Sequence, residues 1–380
     1  MAKLLMITGL GSAKDLASGK KGAFYNTLEE FHKYWDRIDI ISPKTYIGSI
    51  SNLPKAEPLF GNVYVHISPW PLILHPFWFL KKGMEIYKEQ KFDLMIVHEF
   101  PPFYNGIGAR LLWLKTKVPY VLEIHHISGY PKAANPKESV YRILMGWLIK
   151  FDASKATAVR VVNQKQTLEF LVKAGVPENK ITYIPSIYID LNMFKPMNLP
   201  KEYDLIFIGR LEPNKGIVLL IEAAKKLKVQ GFKLRILIVG DGSLKNYCES
   251  KIENWKLQDN VLLYGWAKDS QEVAKLLNQS KILVMSSFNE GGPRVVVEAM
   301  ACGVPVLATP VGIVPDLLKN GLEGEIVAWE ANYIAHKAIE LLNSPDLYQK
   351  YSQGGLEIVG QFEKKATIKD YAEKLQNLLK

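Results

Sequence analysis

Short apolar, β-rich runs alternate with helix-patterned stretches along nearly the whole chain, and no other feature restricts the fold as much. Such runs specify α/β layers built on parallel sheets and exclude an all-β sandwich or a helix bundle. Two series can be followed. The first has expected strands at Leu4–Ile7, Ile38–Ile41, Val63–His66, Leu94–Val97, Tyr120–Ile124 and Ala156–Val162. The second has them at Leu205–Ile208, Leu234–Val239, Val261–Leu263, Ile282–Met285, Val304–Ala308 and Glu325–Val327. Between the series, Pro185–Pro200 is proline-rich without helical period and reads as the inter-domain connection. The stretches Asn332–Asn343, Pro345–Glu357 and Lys365–Leu379 predict three closing helices. The expected fold class is α/β, with two doubly wound, Rossmann-like domains. Ligands of such sheets bind beyond the C-terminal ends of the strands, so the cleft between the domains is the expected site.

Size and composition fit this reading. A chain of 380 residues, 48% hydrophobic, has enough apolar side chains for about two full cores. Its two cysteines, Cys248 and Cys302, exclude a disulfide scaffold and a four-cysteine zinc site and fit a reducing compartment. The first apolar run, Leu4–Ile7, is too short for the core of a signal peptide, and no run approaches the ~20 apolar residues of a spanning helix, so a cytoplasmic protein is expected. The formal charge of +10 favours acidic partners: phosphorylated substrates, an anionic membrane face or nucleic acid. Lysines scattered without a recognisable motif disfavour nucleic acid.

Three segments of the second series carry the chemistry. Glu290 and Glu298 flank the start of an expected helix: Gly291, Gly292 and Pro293 make the turn, Pro293 takes the first helical position, and Gly303 closes the helix. Alone, two glutamates at this spacing read as solvated surface charges. Beside an apolar strand, a double glycine and a nearly all-apolar helix, they read as site carboxylates at an anion-binding helix start. The loop Gly209-Arg210-Leu211-Glu212-Pro213-Asn214-Lys215-Gly216 follows an expected strand and offers a planar fork of donors, Arg210, with a mobile point charge, Lys215. That combination suits a diphosphate. Gly240-Asp241-Gly242, after the next strand, permits close backbone approach to a ligand, although a plain turn explains it equally well.

Taken in order, these segments resemble the retaining glycosyltransferases of family 4, which have the two-domain GT-B fold. The resemblance spans the second series and reaches more loosely into the first through Phe92–Glu99, Val121–His125 and Val161–Pro185. It implies a nucleotide-sugar donor held mainly by the second domain. Arg210 and Lys215 would bind the diphosphate and Glu298 the ribose. Glu290 would meet the donor sugar, with backbone N–H groups from Gly291 and Gly292. Gly240 and Gly242 would border the donor, and Gly265 and Trp266 would lie near the base. His125 matches the family's first-domain histidine near the reacting centre, so the implied catalytic group is Glu290, His125, Arg210 and Lys215. On the acceptor side, Gly22, Lys20, Lys21 and His98 would face a glycan or lipid-linked acceptor, although the basic loop reads equally as a mobile surface segment.

The domains implied are residues 1–195, acceptor-binding, and 196–362, donor-binding, with 363–380 a helix packing back on the first domain. The resemblance also implies retention of anomeric configuration, with the leaving phosphate taking the acceptor's proton. No cofactor and no divalent metal are expected, because Arg210, Lys215 and a helix start can stabilise the leaving diphosphate and the chain lacks an Asp-x-Asp pair. A metal on His98, His125, His126 and Glu99 is disfavoured because adjacent strand residues point to opposite faces. Trp70, Phe77, Trp78 and Phe79 beside Lys81 and Lys82, with Glu138–Lys150 as an extension, suit an anionic membrane surface and a peripheral position at its inner face, although core packing accounts for either stretch. Two departures from the family pattern are Ser186-Ile187-Tyr188-Ile189-Asp190 after Pro185 and Gly-Gly-Pro-Arg after Glu290. The competing readings are a nucleotide-sugar epimerase on the same fold and a binding module without turnover.

Overall fold

The structure, a computed structural model, describes residues 1–9, 11–12, 16, 22–44, 58–99, 104–318 and 321–379. Lys20 and Lys21 lie outside the described residues. Among the described residues, the first half forms a seven-stranded sheet. Its strands are β1 (Lys3–Ile7), β2 (Arg37–Ser42), β3 (Val63–Ile67), β4 (Leu94–His98), β5 (Tyr120–Ile124), β6 (Ala158–Val161) and β7 (Ile181–Tyr183), in the order β3-β2-β1-β4-β5-β6-β7. The second half forms a six-stranded sheet from β8 (Tyr203–Ile208), β9 (Ile236–Val239), β10 (Val261–Gly265), β11 (Ser280–Met285), β12 (Val306–Ala308) and β13 (Glu325–Ile326), in the order β10-β9-β8-β11-β12-β13. Every strand pairing is parallel.

Parallel strands covered on both faces read as continuous apolar runs, and Leu4, Leu5, Met6 and Ile7 are all buried for that reason. Each sheet accordingly has two cores. On one face of the first sheet, helices His75–Gln90, Tyr104–Thr116, Pro136–Ala153 and Gln166–Lys173 bury Phe79, Leu112, Met145, Ile149 and Leu171. Trp78 and Phe79 are thus core residues, whereas Phe77 beside them is exposed. The other face is covered by helix Ala23–Phe31 and by the last helix, Lys364–Asn377, which sets Ile368, Tyr371, Ala372 and Leu375 against Leu28 and Phe31.

The chain crosses between the halves twice, and the crossings are bonded together: Ile189 N donates to Phe362 O at 2.8 Å and Lys364 N to Ile189 O at 3.0 Å. Three details differ from the sequence reading. Strand β7 was not expected, since Ile181–Tyr183 is half-buried and too short for a clear period. Strand β9 starts at Ile236, because Arg235 N is bonded instead to the Asp204 carboxylate at 2.9 Å. Pro293 stands one residue before the helix Arg294–Ala301, as its N-cap. No helix among the described residues is long and apolar enough to cross a membrane.

Candidate active site

Strands β8 and β11 lie side by side at the centre of the second sheet, so the loops leaving their C-terminal ends are neighbours. After β8, a turn at Pro213–Lys215 ends on Gly216, whose backbone is left-handed (φ 63°). A Cβ at Gly216 would sit 2.0 Å from Ser286 O, so glycine alone lets this turn press against the end of β11. That approach brings Lys215 Nζ to Glu290 Oε1 as a half-buried ion pair, and Ser287 Oγ donates to the same oxygen at 3.0 Å. Lys215, Glu290, Ser287, Gly292 and Arg294 line a cavity of about 180 Å³. Arg210, from the same loop as Lys215, is exposed.

Glu298 leans back toward the helix start, as helical side chains do. Its neighbour there is Arg294, whose Nε lies 3.0 Å from Glu298 Oε1. Burial raises the Glu298 carboxyl above its ordinary range, and Arg294 opposes the shift. Gly240 and Gly242 meet protein backbone: a Cβ would lie 1.9 Å from Gly209 O at the first and 2.6 Å from Leu211 O at the second. Close packing of adjacent loops therefore accounts for both glycines. Gly265 ends the edge strand β10 and Trp266 follows it; Gly265 has φ 83° with open space beside it, and Trp266 is exposed.

Across the cleft, the ends of β4 and β5 present two histidines around one carboxylate. Glu123 is fully buried. Its Oε2 accepts from His98 Nε2 at 2.6 Å and lies 3.3 Å from His125 Nε2. Its Oε1 meets Arg160 Nη1 at 2.6 Å and the Tyr371 hydroxyl at 2.6 Å. Burial alone would raise this carboxyl, but Arg160, His98 and His125 outweigh it and hold Glu123 well below the ordinary carboxylate range. His125 is shifted down by loss of solvent, with Glu123 opposing. The ligand atoms of His98, Glu123 and His125 lie within 4.8 Å of one another, so between them they could hold a metal ion. Arg160, already bound to that carboxylate, opposes a second cation there. His126 does point away from His125, donating Nε2–H to Asn289 Oδ1 at 2.9 Å.

The two half-sites touch at the Glu290 loop. A Cβ on Gly291 would fall 1.6 Å from His125 O, so the second domain rests its backbone directly on the first at the catalytic candidate. Asn163 Nδ2 donates to Gly291 O at 3.1 Å, and Asn289 Nδ2 donates to Lys132 O and to Glu138 Oε2 at 3.0 and 2.8 Å. Gly22 caps the helix Ala23–Phe31, whose Phe24 ring meets His98 edge-on, 6.1 Å between centroids. The structure thus gathers Lys215, Glu290, Gly291 and Gly292 opposite His125, with His98 behind, and leaves Trp266 at the sheet edge.

Four residues of this neighbourhood received no role from the sequence. Glu123 entered only as a member of the Val121–His125 stretch, and Arg294 only as a departure from a family pattern. Arg160 and Tyr371 gave no signal, because Tyr371 reaches Glu123 from a helix 248 positions later in the chain.

Two parallel-sheet α/β domains meeting at a cleft lined by cations and carboxylates have the architecture of the GT-B fold. Residues 190–358 match the family model for glycosyl transferases group 1, and residues 29–187 match that for glycosyltransferase family 4. The chain belongs to family 4 and is a glycosyltransferase. It is 29% identical over 287 residues to an uncharacterized glycosyltransferase of Methanocaldococcus jannaschii, covering 74% of each chain. It is 25% identical to the N-acetyl-alpha-D-glucosaminyl L-malate synthase of Bacillus anthracis, over 84% of this chain and 86% of that one. The fold is shared with Anabaena HepE, solved in complex with UDP (TM-score 0.73, 20% identity, 99% and 100% covered). It is also shared with the sucrose-phosphate synthase of Thermosynechococcus elongatus (TM-score 0.76, 19% identity, 100% and 99% covered).

Proposed function

We propose that the enzyme transfers a sugar from a nucleotide-sugar donor to a hydroxyl of a glycan or lipid-linked acceptor, with retention of configuration and without a divalent metal, in cell-surface polysaccharide or glycolipid synthesis. One observation carries this reading. Lys215, Glu290, Gly292 and Arg294 line a single cavity at the C-terminal ends of β8 and β11, and the adjoining Gly291 rests on His125 of the other domain.

Cleaving a glycosyl phosphate bond builds negative charge on the departing diphosphate, and cations fixed beforehand in a sheltered cleft stabilise that charge as it forms. Lys215 sits at the tip of its turn to do this, with Arg210 on the same loop and Arg294 on the cavity wall. A bound phosphate would share the Lys215 cation with Glu290 and free that carboxylate to accept from sugar hydroxyls. Glu298 would accept from the ribose, and Trp266 and Gly265 would border the base. The second domain is accordingly the donor side and the first, with Gly22, Lys20, Lys21 and His98, the acceptor side. With the leaving phosphate taking the acceptor's proton, Glu290 need not act as a nucleophile. Metal independence is supported by the cations around the cavity and by Arg160 on the Glu123 carboxylate.

Two relatives agree with a donor and acceptor of this kind. A 27% identical Escherichia coli protein, which the chain matches over 64% of both, is a UDP-Gal:alpha-D-GlcNAc-diphosphoundecaprenol alpha-1,3-galactosyltransferase, and HepE has been solved with UDP-glucose. A lipid-linked acceptor would place the enzyme at the inner face of the membrane.

The test is turnover with a panel of nucleotide sugars and lipid-linked acceptors, in chelator, with the product anomer read by NMR. Wild type is expected to transfer with retention in chelator, and Glu290→Ala to lose at least about a hundredfold. Hydrolysis or isomerisation without transfer would favour the epimerase, and inversion or a strict metal requirement would refute the mechanism.

A further inference from the structure

Helix Pro136–Ala153 buries Met145 and Ile149 on its inner side, yet its outer side is also apolar. Val140, Ile143, Leu144, Trp147 and Phe151 share the outer face, with Ile143 61% and Trp147 82% exposed. A helix apolar on both sides belongs in a protein interior or an apolar phase, and here the outer side is left largely open among the described residues, with Arg110 lying 3.9 Å over the Phe151 ring at its end. Beside Trp147 runs an open groove of about 640 Å³, floored by Tyr130 and Phe170 and edged by Arg142, Lys150 and Lys173. Lys137 and Lys155 are exposed at the two ends of the helix. Exposed acids on the neighbouring segment are Glu169, on helix Gln166–Lys173 and flanked by exposed Lys165 and Lys173, and Glu178 beyond it.

We infer that the outer face of helix Pro136–Ala153 is the membrane-docking surface of the enzyme and takes an anionic lipid bilayer. An amphipathic aromatic and aliphatic stripe rimmed by lysine and arginine matches the boundary between headgroups and acyl chains, where indole rings settle and cations meet lipid phosphates. Charge also selects this occupant over a second copy of the chain. A two-fold dimer through the same face would set Arg142, Lys150 and Lys173 against themselves, whereas a bilayer containing acidic lipid supplies the complementary sign.

The inner end of the same helix is tied to the active site. Asn135 caps its first turn, accepting from Glu138 N at 3.0 Å, and Glu138 Oε2 accepts from Asn289 Nδ2 at 2.8 Å, one residue before Glu290. Trp147 lies nine positions, about 14 Å along the axis, beyond Glu138. A docked helix would hold the cleft close to the bilayer surface, where a lipid-linked acceptor presents its sugar. This last step rests on the acceptor proposed above; docking itself does not.

The experiment is co-sedimentation of the full chain with vesicles of phosphatidylcholine alone and of phosphatidylcholine mixed with phosphatidylglycerol. Wild type, the pair Ile143→Glu with Trp147→Glu, and the pair Lys150→Glu with Lys173→Glu are compared. Wild type is expected to partition onto the anionic vesicles, less so at high salt, and each double variant to lose at least about tenfold. Unchanged circular dichroism and melting would show both variants folded. Nucleotide-induced melting shifts, measured without lipid, report on the donor site independently, so a failed transferase reading and a failed docking surface are told apart. Wild type left in the supernatant with both vesicles, or binding insensitive to both pairs, would overturn the proposal. A wild-type dimer that Trp147→Glu converts to monomer, without vesicle binding, would reassign the face to self-association.

Discussion

At the scale of single residues, the site depends on charges satisfied in pairs. Glu123 is buried with Arg160, Tyr371, His98 and His125 around it, so the carboxylate positions two histidines of the cleft and the last helix at once. Removing its charge leaves Arg160 buried and uncompensated. Glu123→Gln is therefore expected to cost roughly 3–5 kcal/mol of stability. Because Glu123 opposes the downward shift of His125, the same variant should titrate His125 still lower, as histidine NMR would show. An unchanged His125 titration would remove Glu123 from any positioning role. Lys215, Glu290 and Gly291 were legible in the sequence because they follow strand ends within short motifs. Arg160 and Tyr371 were not, because a contact between distant segments leaves no local pattern.

At the scale of elements, the helices on the outer face of the first sheet carry an internal strain of charge. Asp152, near the end of helix Pro136–Ala153, is fully buried, and neither carboxylate oxygen has a hydrogen-bond partner among the described residues. Burial pushes its pKa up to about 7, with Arg110 opposing. A carboxyl whose folded pKa lies above its unfolded value binds more protons when folded, so this group lowers stability as pH rises from about 4 to 7 and remains unfavourable above. Asp152→Asn is expected to flatten that slope, by up to about 4 kcal/mol between the two limits. Melting at pH 5 and pH 8 checks this; a slope equal to that of wild type would contradict it. Most strands were legible as apolar runs, since parallel strands are buried on both faces. Strand β7 was missed because three half-buried residues carry no period. The exposed face of helix Pro136–Ala153 was ambiguous in sequence, because only tertiary packing shows which of its two apolar stripes is covered.

At the scale of the whole molecule, two sheets of parallel strands direct their C-terminal ends at one cleft, and the chain bonds its two crossings together at Ile189 and Phe362–Lys364. The two-domain α/β fold was legible throughout, because the alternation of runs repeats from end to end. The pressing of Gly291 onto His125 was not, since it depends on how the domains meet. The central claim is that the cavity of Lys215 and Glu290 receives the diphosphate of a nucleotide sugar without metal. Its most direct test is a thermal-shift screen of the full chain against UDP, GDP, ADP and their sugars, with and without chelator, repeated on Arg210→Ala and Lys215→Ala. A ligand bound only by the folded state adds about 2.7 kcal/mol of stability at a hundred times its Kd. One selective, chelator-resistant rise in melting temperature, lost in the Lys215 variant and reduced in the Arg210 variant, is the result predicted. No rise with any nucleotide, or one that persists unchanged in Lys215→Ala, would contradict the assignment.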